Sequence, residues 1–138
     1  MSANFAQSAV ILIAHGSRRD EANNELHDLV GRLRAKLPDL WIEPAFLEIA
    51  RPDIDAAANR CIAQGARTVL LVPYFLSMGV HLTRDLTDAC VRLQAAHPDS
   101  KISLAPPLGP DELLDVLVLR RIQGGISNLA QSPLTPQA

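Results

Sequence analysis

Residues 9–17 read AVILIAHGS, a short apolar run rich in β-branched residues that ends in a histidine and a glycine. Such a run is typical of a strand covered on both faces, as in a parallel sheet. Residues 69–81, VLLVPYFLSMGVH, repeat the arrangement. Because ligands bind at the carboxyl ends of the strands in open α/β sheets, both histidines are placed where a ligand can reach them. Two imidazoles at one sheet edge can bind a metal ion or transfer protons near neutral pH.

The rest of the chain alternates predicted strands and helices. Further strands are predicted at residues 41–48 and 102–105, and apolar residues at helical spacing predict helices within 22–37, 54–62, 82–93 and 111–122. This alternation indicates an α/β fold built from right-handed parallel βαβ units.

The position of Pro44 restricts the order of the strands. A proline inside the second strand removes a ladder donor, so that strand belongs at a sheet edge or carries a bulge. An open parallel sheet of four strands in the order 2-1-3-4, with helices on both faces, meets this condition. It also makes neighbours of the strands that end at His15 and His81, whereas rival orders, which the pattern leaves open, would separate them.

The last predicted helix and the segment after it differ from the rest. Residues 111–122 have too little polar surface for one sheet face to cover them, so we expect a partner subunit to cover this helix. Beyond it the composition turns to Gly, Ser, Gln and Pro, which is typical of disorder. The expected organisation is one domain at residues 1–122 and a disordered tail at residues 123–138.

Composition and charge exclude several classes of protein. With 138 residues, 48% of them hydrophobic, the chain has the size and composition of one globular domain. A net charge of −2 argues against a nucleic-acid or anionic-membrane surface. We expect neither a membrane span nor a signal peptide, because no apolar stretch approaches the length of a bilayer span and the N-terminal residues lack a basic segment followed by an apolar one. Cys61 and Cys90, far apart and without metal-ligand spacing, fit core positions in a reducing compartment, so we expect a cytoplasmic protein.

Three residues form the candidate metal site. Glu48 follows the second predicted strand and can join His15 and His81 in a set of two histidines and one carboxylate. Such a set suits divalent first-row metals and leaves coordination positions open. The alternatives are structural: the histidines order a turn or a helix start, and Glu48 is a solvated charge at a strand end.

A second group of residues near these motifs suits an anionic substrate. Arg18, Arg51 and Arg84 can hold carboxylates. Ser17, Ser77 and Gly79 can donate hydroxyl or backbone amide hydrogen bonds to an anion. The alternative is that the arginines are simply solvated near helix starts.

Taken together, four segments resemble the sirohydrochlorin chelatase family: ILIAHGSR at residues 11–18, FLE at 46–48, VPYFLSMGVH at 72–81 and PPLG at 106–109. These small class II tetrapyrrole chelatases insert cobalt, iron or, in some members, nickel. The resemblance runs from residue 9 to about residue 122 and implies a flavodoxin-like, chelatase-like fold. It also implies that His15 and His81 are the metal-site histidines and that Glu48 is the acidic residue that accompanies them.

The resemblance carries a functional expectation. It implies insertion of Co²⁺ or Fe²⁺, or of Ni²⁺ as in some members, into sirohydrochlorin for cobalamin or sirohaem biosynthesis, with the metal as substrate and no organic cofactor. The chain has the length of the single-domain forms, which work as homodimers, and it lacks the histidine-rich tract of some members. A non-catalytic metal or tetrapyrrole carrier remains an alternative. A histidine phosphatase is disfavoured because Ala14 occupies the position where that chemistry needs an arginine.

Overall fold

Four parallel strands alternate with four helices in the computed structural model, which describes residues 7–131. The strands are β1 (Ser8–Ala14), β2 (Trp41–Phe46), β3 (Thr68–Pro73) and β4 (Lys101–Leu104). The helices are α1 (Asp20–Lys36), α2 (Ile54–Ala63), α3 (Val80–Ala96) and α4 (Glu112–Gln131). The strand order β2-β1-β3-β4 confirms the predicted topology.

The proline in β2 has the effect expected from its missing donor. In the sheet as described, β2 pairs only with β1, and Pro44 lies opposite Leu12. Leu12 in turn lies opposite Val72 of β3, so β1 is paired on both sides. An edge position lets Pro44 lack an N–H without breaking a second ladder. The strands that lead to His15 and His81 are therefore central neighbours.

The core lies on both faces of the sheet. Ile11 and Ile13 of β1 belong to the cluster under α2 and α3, whereas Leu12 belongs to the cluster under α1. This alternation follows from the two-residue period of a strand. Cys61 is buried in the first cluster, and burial raises the pKa of its thiol to about 11. It is a free, protonated core side chain, as the sequence predicted.

The predicted second strand extended too far. We expected strand structure through Glu48, but β2 ends at Phe46. The backbone of Leu47 and Glu48 still bonds to the residues after β1, and the chain then folds back, so that the N–H of Phe46 donates to the carbonyl of Pro52 at 2.9 Å. Glu48 thus lies in the loop between β2 and α2.

The last helix is longer than predicted. It continues to Gln131, so the predicted start of a disordered tail at residue 123 is wrong for residues 123–131. Ile122, Ile126 and Leu129 continue apolar residues at helical spacing through this segment, whose composition of Gly, Ser, Gln and Pro is the basis of the predicted tail. Residues 132–138 of that predicted tail lie outside the described residues. None of the helices within residues 7–131 is long and apolar enough to cross a membrane.

Helix α4 packs poorly against its own chain. Within the described residues it contains no buried residue, and it contacts no strand or helix as extensively as α1, α2 and α3 do. Its exposed apolar side chains are Leu113, Val116, Leu117, Val118, Leu119, Ile122, Ile126 and Leu129. This exposed face is the one that the sequence analysis expected a partner to cover.

Candidate functional site

The loops after β1 and β2 are joined by backbone hydrogen bonds. The N–H of Leu47 donates to the carbonyl of Ala14 at 3.0 Å, and the N–H of Glu48 donates to the carbonyl of His15 at 3.1 Å. These bonds continue the pairing of the two strands past their ends. We call these two loops the first loop pair, and it carries both His15 and Glu48.

Gly16 makes the first loop pair possible. Its φ is +98°, in the left-handed region, and a Cβ at this position would overlap the carbonyl oxygen of Glu48. Only glycine combines this backbone conformation with so close an approach. The glycine after the histidine is therefore required by the packing of one loop on the other.

Asn23 fixes the end of the same loop. Its side-chain oxygen accepts from the N–H of Ser17 at 2.9 Å, and its side-chain nitrogen donates to the carbonyl of Ser17 at 2.7 Å. The Ser17 hydroxyl accepts a hydrogen bond from the N–H of Arg19 at 3.0 Å. The hydroxyl oxygen is therefore already bonded within the turn that leads into α1. Ser17 therefore orders the loop as well as lining the surface beside it.

His15 and Glu48 are in direct contact. His15 Nε2 lies 2.8 Å from Glu48 Oε1, and both side chains are more than half exposed. A neutral imidazole that donates from Nε2 to this carboxylate keeps its lone pair on Nδ1. Carboxylates orient metal-binding histidines in this way and raise their basicity as ligands.

The loops after β3 and β4 form a second loop pair, and it leads to His81. The N–H of Leu108 donates to the carbonyl of Phe75, and the N–H of Gly109 donates to the carbonyl of Leu76, both at 2.9 Å. A Cβ on Gly109 would approach the Leu76 oxygen to 2.6 Å. The PPLG segment thus holds the loop that precedes α3 through backbone hydrogen bonds. His81 lies in the first turn of that helix.

One cavity joins the three residues of the candidate metal site. A cleft of about 570 Å³ at the carboxyl edge of the sheet is lined by His15, Glu48 and His81. Across residues 7–131, however, no three His, Cys, Asp or Glu side chains are grouped closely enough to hold a metal ion as they stand. The structure thus brings His15 and Glu48 into contact and places His81 on the same cleft, without a closed ligand set.

The cleft contains charged residues that the sequence analysis missed. Asp85 and Asp88 line it from α3, and Arg92 lines it from further along that helix. Their spacing from His81, four and seven residues for the two aspartates, is the signal that would have placed them on the same helix face. Arg92 donates two hydrogen bonds to Asp55 at 3.1 Å, and this bonding raises the pKa of the Arg92 guanidinium.

The predicted substrate-binding residues divide into two groups. Ser17, Arg18 and Arg51 line a second cavity, of about 460 Å³, on the α1 side of the first loop pair. Ser77, Gly79 and Arg84 are exposed, and in the described chain they line neither this cavity nor the cleft. Gly79 precedes α3 and its carbonyl accepts from Thr83 at 3.0 Å, so it serves the helix start.

Ile49 is a backbone outlier beside this site. Its φ is +69°, which costs an L residue about 1–2 kcal/mol and is worst for β-branched side chains. The N–H of Ala50 donates to the carbonyl of Glu48 at 2.7 Å, so Ile49 is the centre of a tight three-residue turn. This turn directly follows the residue that contacts His15.

Comparisons with known proteins identify the family of this chain. The model of the CbiX family matches residues 9–124. A chloroplastic sirohydrochlorin ferrochelatase of Arabidopsis thaliana is 38% identical over 122 residues, which cover 87% of this chain and 53% of that protein. A sirohydrochlorin cobaltochelatase of Sulfolobus acidocaldarius is 31% identical over 109 residues, which cover 78% of this chain and 85% of that protein.

Solved structures of chelatases resemble this chain as well. SirB from Bacillus subtilis, determined with Fe³⁺, superposes with a TM-score of 0.77 at 29% identity, covering 85% of this chain and 46% of that chain. The chain spans about half the length of the first curated relatives it matches, with 53% and 45% of those proteins covered.

Proposed function

The chain belongs to the CbiX family of sirohydrochlorin chelatases, and from that premise we propose that it inserts a divalent metal ion, Co²⁺ or Fe²⁺, into sirohydrochlorin or a related tetrapyrrole. The observation that carries this proposal is the single cleft lined by His15, Glu48 and His81. Relatives named as ferrochelatases and cobaltochelatases support both metals.

The chemistry of insertion assigns roles to these residues. One M²⁺ replaces two pyrrole N–H protons, so the site must deliver a cation and accept protons in the same place. His15 and His81 bind the ion as neutral imidazoles, and Glu48 completes the set. The ion is a substrate that must leave the protein, and a set of nitrogen and oxygen ligands without thiolate holds it weakly enough to release it.

The contact between His15 and Glu48 provides a place for the protons. With Nε2 donating to the carboxylate at 2.8 Å, His15 can take up a proton on its other nitrogen once the metal has moved to the ring, and Glu48 stabilises the resulting imidazolium. His81, which the ion leaves in the same step, can take up the second pyrrole proton. Glu48 is more than half exposed, so it can accept the Nε2 proton of the His15 imidazolium and pass it on to solvent. No organic cofactor is needed for either step.

The substrate's peripheral carboxylates need cationic partners. Arg18 and Arg51, on the cavity that adjoins the first loop pair, are the arginines placed to hold them. The free thiols of Cys61 and Cys90 fit a reducing compartment, so we place the reaction in the cytoplasm.

Anaerobic turnover tests the proposal. Purified protein is mixed with sirohydrochlorin and Co²⁺, Fe²⁺ or Ni²⁺ in turn, and the absorption of the macrocycle is followed against a protein-free control. Acceleration with at least one metal is the expected result. Binding of metal and macrocycle without acceleration identifies a carrier. Hydrolysis of phosphate esters without insertion would contradict the proposal and favour the phosphatase.

We further propose that α4 mediates a homodimer. Its apolar side chains are exposed along most of the helix, with Leu113 79% and Ile126 62% exposed, and removing such surface from water favours association. A second copy supplies an identical face, and twofold pairing of like surfaces is the commonest form of assembly.

Replacing Val118 by glutamate is expected to weaken the dimer. Val118 is 56% exposed on α4, and a charge buried there in the dimer should raise the dissociation constant on the order of 100-fold or more. Sedimentation equilibrium measures this constant. Val91→Glu is the matched control, because Val91 is 63% exposed but lies on α3. A wild-type chain that stays monomeric at every concentration, or equal effects of both variants, would contradict the proposal.

A further inference from the structure

Ile49 is both exposed and strained, and neither property stabilises the folded state. Its side chain is 59% exposed, so it gains little from burial. Its left-handed backbone, at φ +69°, is one that asparagine or glycine adopts at lower cost. A residue held in such a conformation marks a place where function, rather than stability, favours the side chain.

The turn at Ile49 does not depend on the isoleucine side chain. It is closed by backbone atoms alone, through the bond from the Ala50 N–H to the Glu48 carbonyl. The outer ends of the loop are tied by the bond from the Phe46 N–H to the Pro52 carbonyl. Any residue that tolerates a positive φ could occupy the centre of this turn, so the isoleucine side chain is available for a contact that the free chain does not make.

The surroundings of Ile49 define the chemistry of that contact. Its side chain lines the same cavity as Ser17, Arg18 and Arg51. Among residues 7–131, Asp20 is the one carboxylate on this cavity, against the two arginines. An apolar side chain and two guanidinium groups on one cavity suit a ligand with an apolar body and carboxylates at its edge. The preceding residue, Glu48, lines the cleft with the histidines, so one loop carries residues of both cavities at consecutive positions.

We propose that Ile49 is a specificity residue that packs on the tetrapyrrole ring while Arg18 and Arg51 hold ring carboxylates. This inference rests on the proposed function and adds one contact residue to it. The strain at Ile49 is offset by apolar contact only when the macrocycle is bound. Stability and substrate affinity should therefore change in opposite directions at this position.

Two variants of Ile49 test this inference. Ile49→Asn keeps the turn, so its melting temperature should equal or exceed that of the wild type, while the dissociation constant for metal-free sirohydrochlorin should rise about tenfold. Ile49→Leu restores apolar bulk and should retain most of the affinity. Binding is followed by the absorption of the macrocycle without added metal, and Co²⁺ affinity is measured separately. We expect Co²⁺ affinity to be unchanged in both variants because the backbone around Glu48 is preserved.

The possible outcomes separate this inference from the proposed function. Val91→Asn, which removes an exposed apolar side chain on α3, should leave macrocycle affinity at the wild-type value. Wild-type binding together with unchanged affinity in Ile49→Asn would overturn the inference alone. Equal losses of affinity in both Ile49 variants, with lowered melting temperatures, would also overturn it, since they indicate a role in folding. Failure of the wild-type protein to bind sirohydrochlorin at all would instead contradict the proposed function.

Discussion

Alanine at His15 or at His81 is expected to lower the rate of metal insertion by at least about 10²-fold. Each substitution removes an imidazole from the cleft that both residues line. Both side chains are exposed, so neither substitution leaves a cavity in the core. Initial rates with sirohydrochlorin and Co²⁺ measure the effect, and far-UV circular dichroism checks that the fold is intact.

The control for these variants is His97→Ala. His97 follows the end of α3, and its Nε2 lies 2.6 Å from Asn59 Oδ1, outside the cleft. This variant should keep the wild-type rate. If His15→Ala and His81→Ala are folded and insert metal at the wild-type rate, the cleft is not the site of the reaction.

Alanine at Gly16 should destabilise the protein by about 3–5 kcal/mol, a large share of the stability of a domain of this size. The left-handed backbone accounts for about 1–2 kcal/mol of this loss. The larger part arises because the new Cβ would overlap the Glu48 carbonyl oxygen, so the first loop pair must separate. Chemical denaturation measures the free energy of unfolding. Insertion activity should also be lost, because the separated loops no longer align His15 with Glu48.

Gly65→Ala separates the cost of the backbone conformation from the cost of the overlap with Glu48. Gly65 also has a positive φ, +112°, but a Cβ there meets no atom within 4 Å. Gly65→Ala should lower the free energy of unfolding only by the backbone penalty of about 1–2 kcal/mol, and it should leave insertion activity unchanged. Equal destabilisation by the two substitutions would show that the contact between Gly16 and Glu48 contributes nothing.

Periodicity and proline chemistry predicted the sheet, while the sequence pattern left other strand orders open. Alternating runs indicated the βαβ units, Pro44 favoured an edge position or a bulge for β2, and the predicted order with β1 and β3 as neighbours is the one observed. The position of both histidines on one cleft follows from that order. These features depend on local patterns and on topology, and both can be deduced from one sequence.

Features that depend on tertiary contacts could not be predicted. Asp55 and Arg92 belong to different helices, and no local pattern indicates that they form an ion pair. The turn at Ile49 was missed because isoleucine normally signals a strand and not a left-handed turn. The composition after residue 122 predicts disorder, yet the helix passes through the glycines at 124 and 125. A helix propensity loss of about 1 kcal/mol per glycine is too small to decide such a boundary.

The two loop pairs have a consequence for the choice of metal. His15 and Glu48 belong to the first loop pair, whereas His81 follows the second, so the backbone bonds within each pair do not fix the gap between the imidazoles. We therefore expect the gap to adjust to the coordination distances of ions with different radii. The proposed site should then not select by ionic size, so in vitro preference among first-row dications should follow their general ligand affinity series, and selectivity in the cell should follow supply.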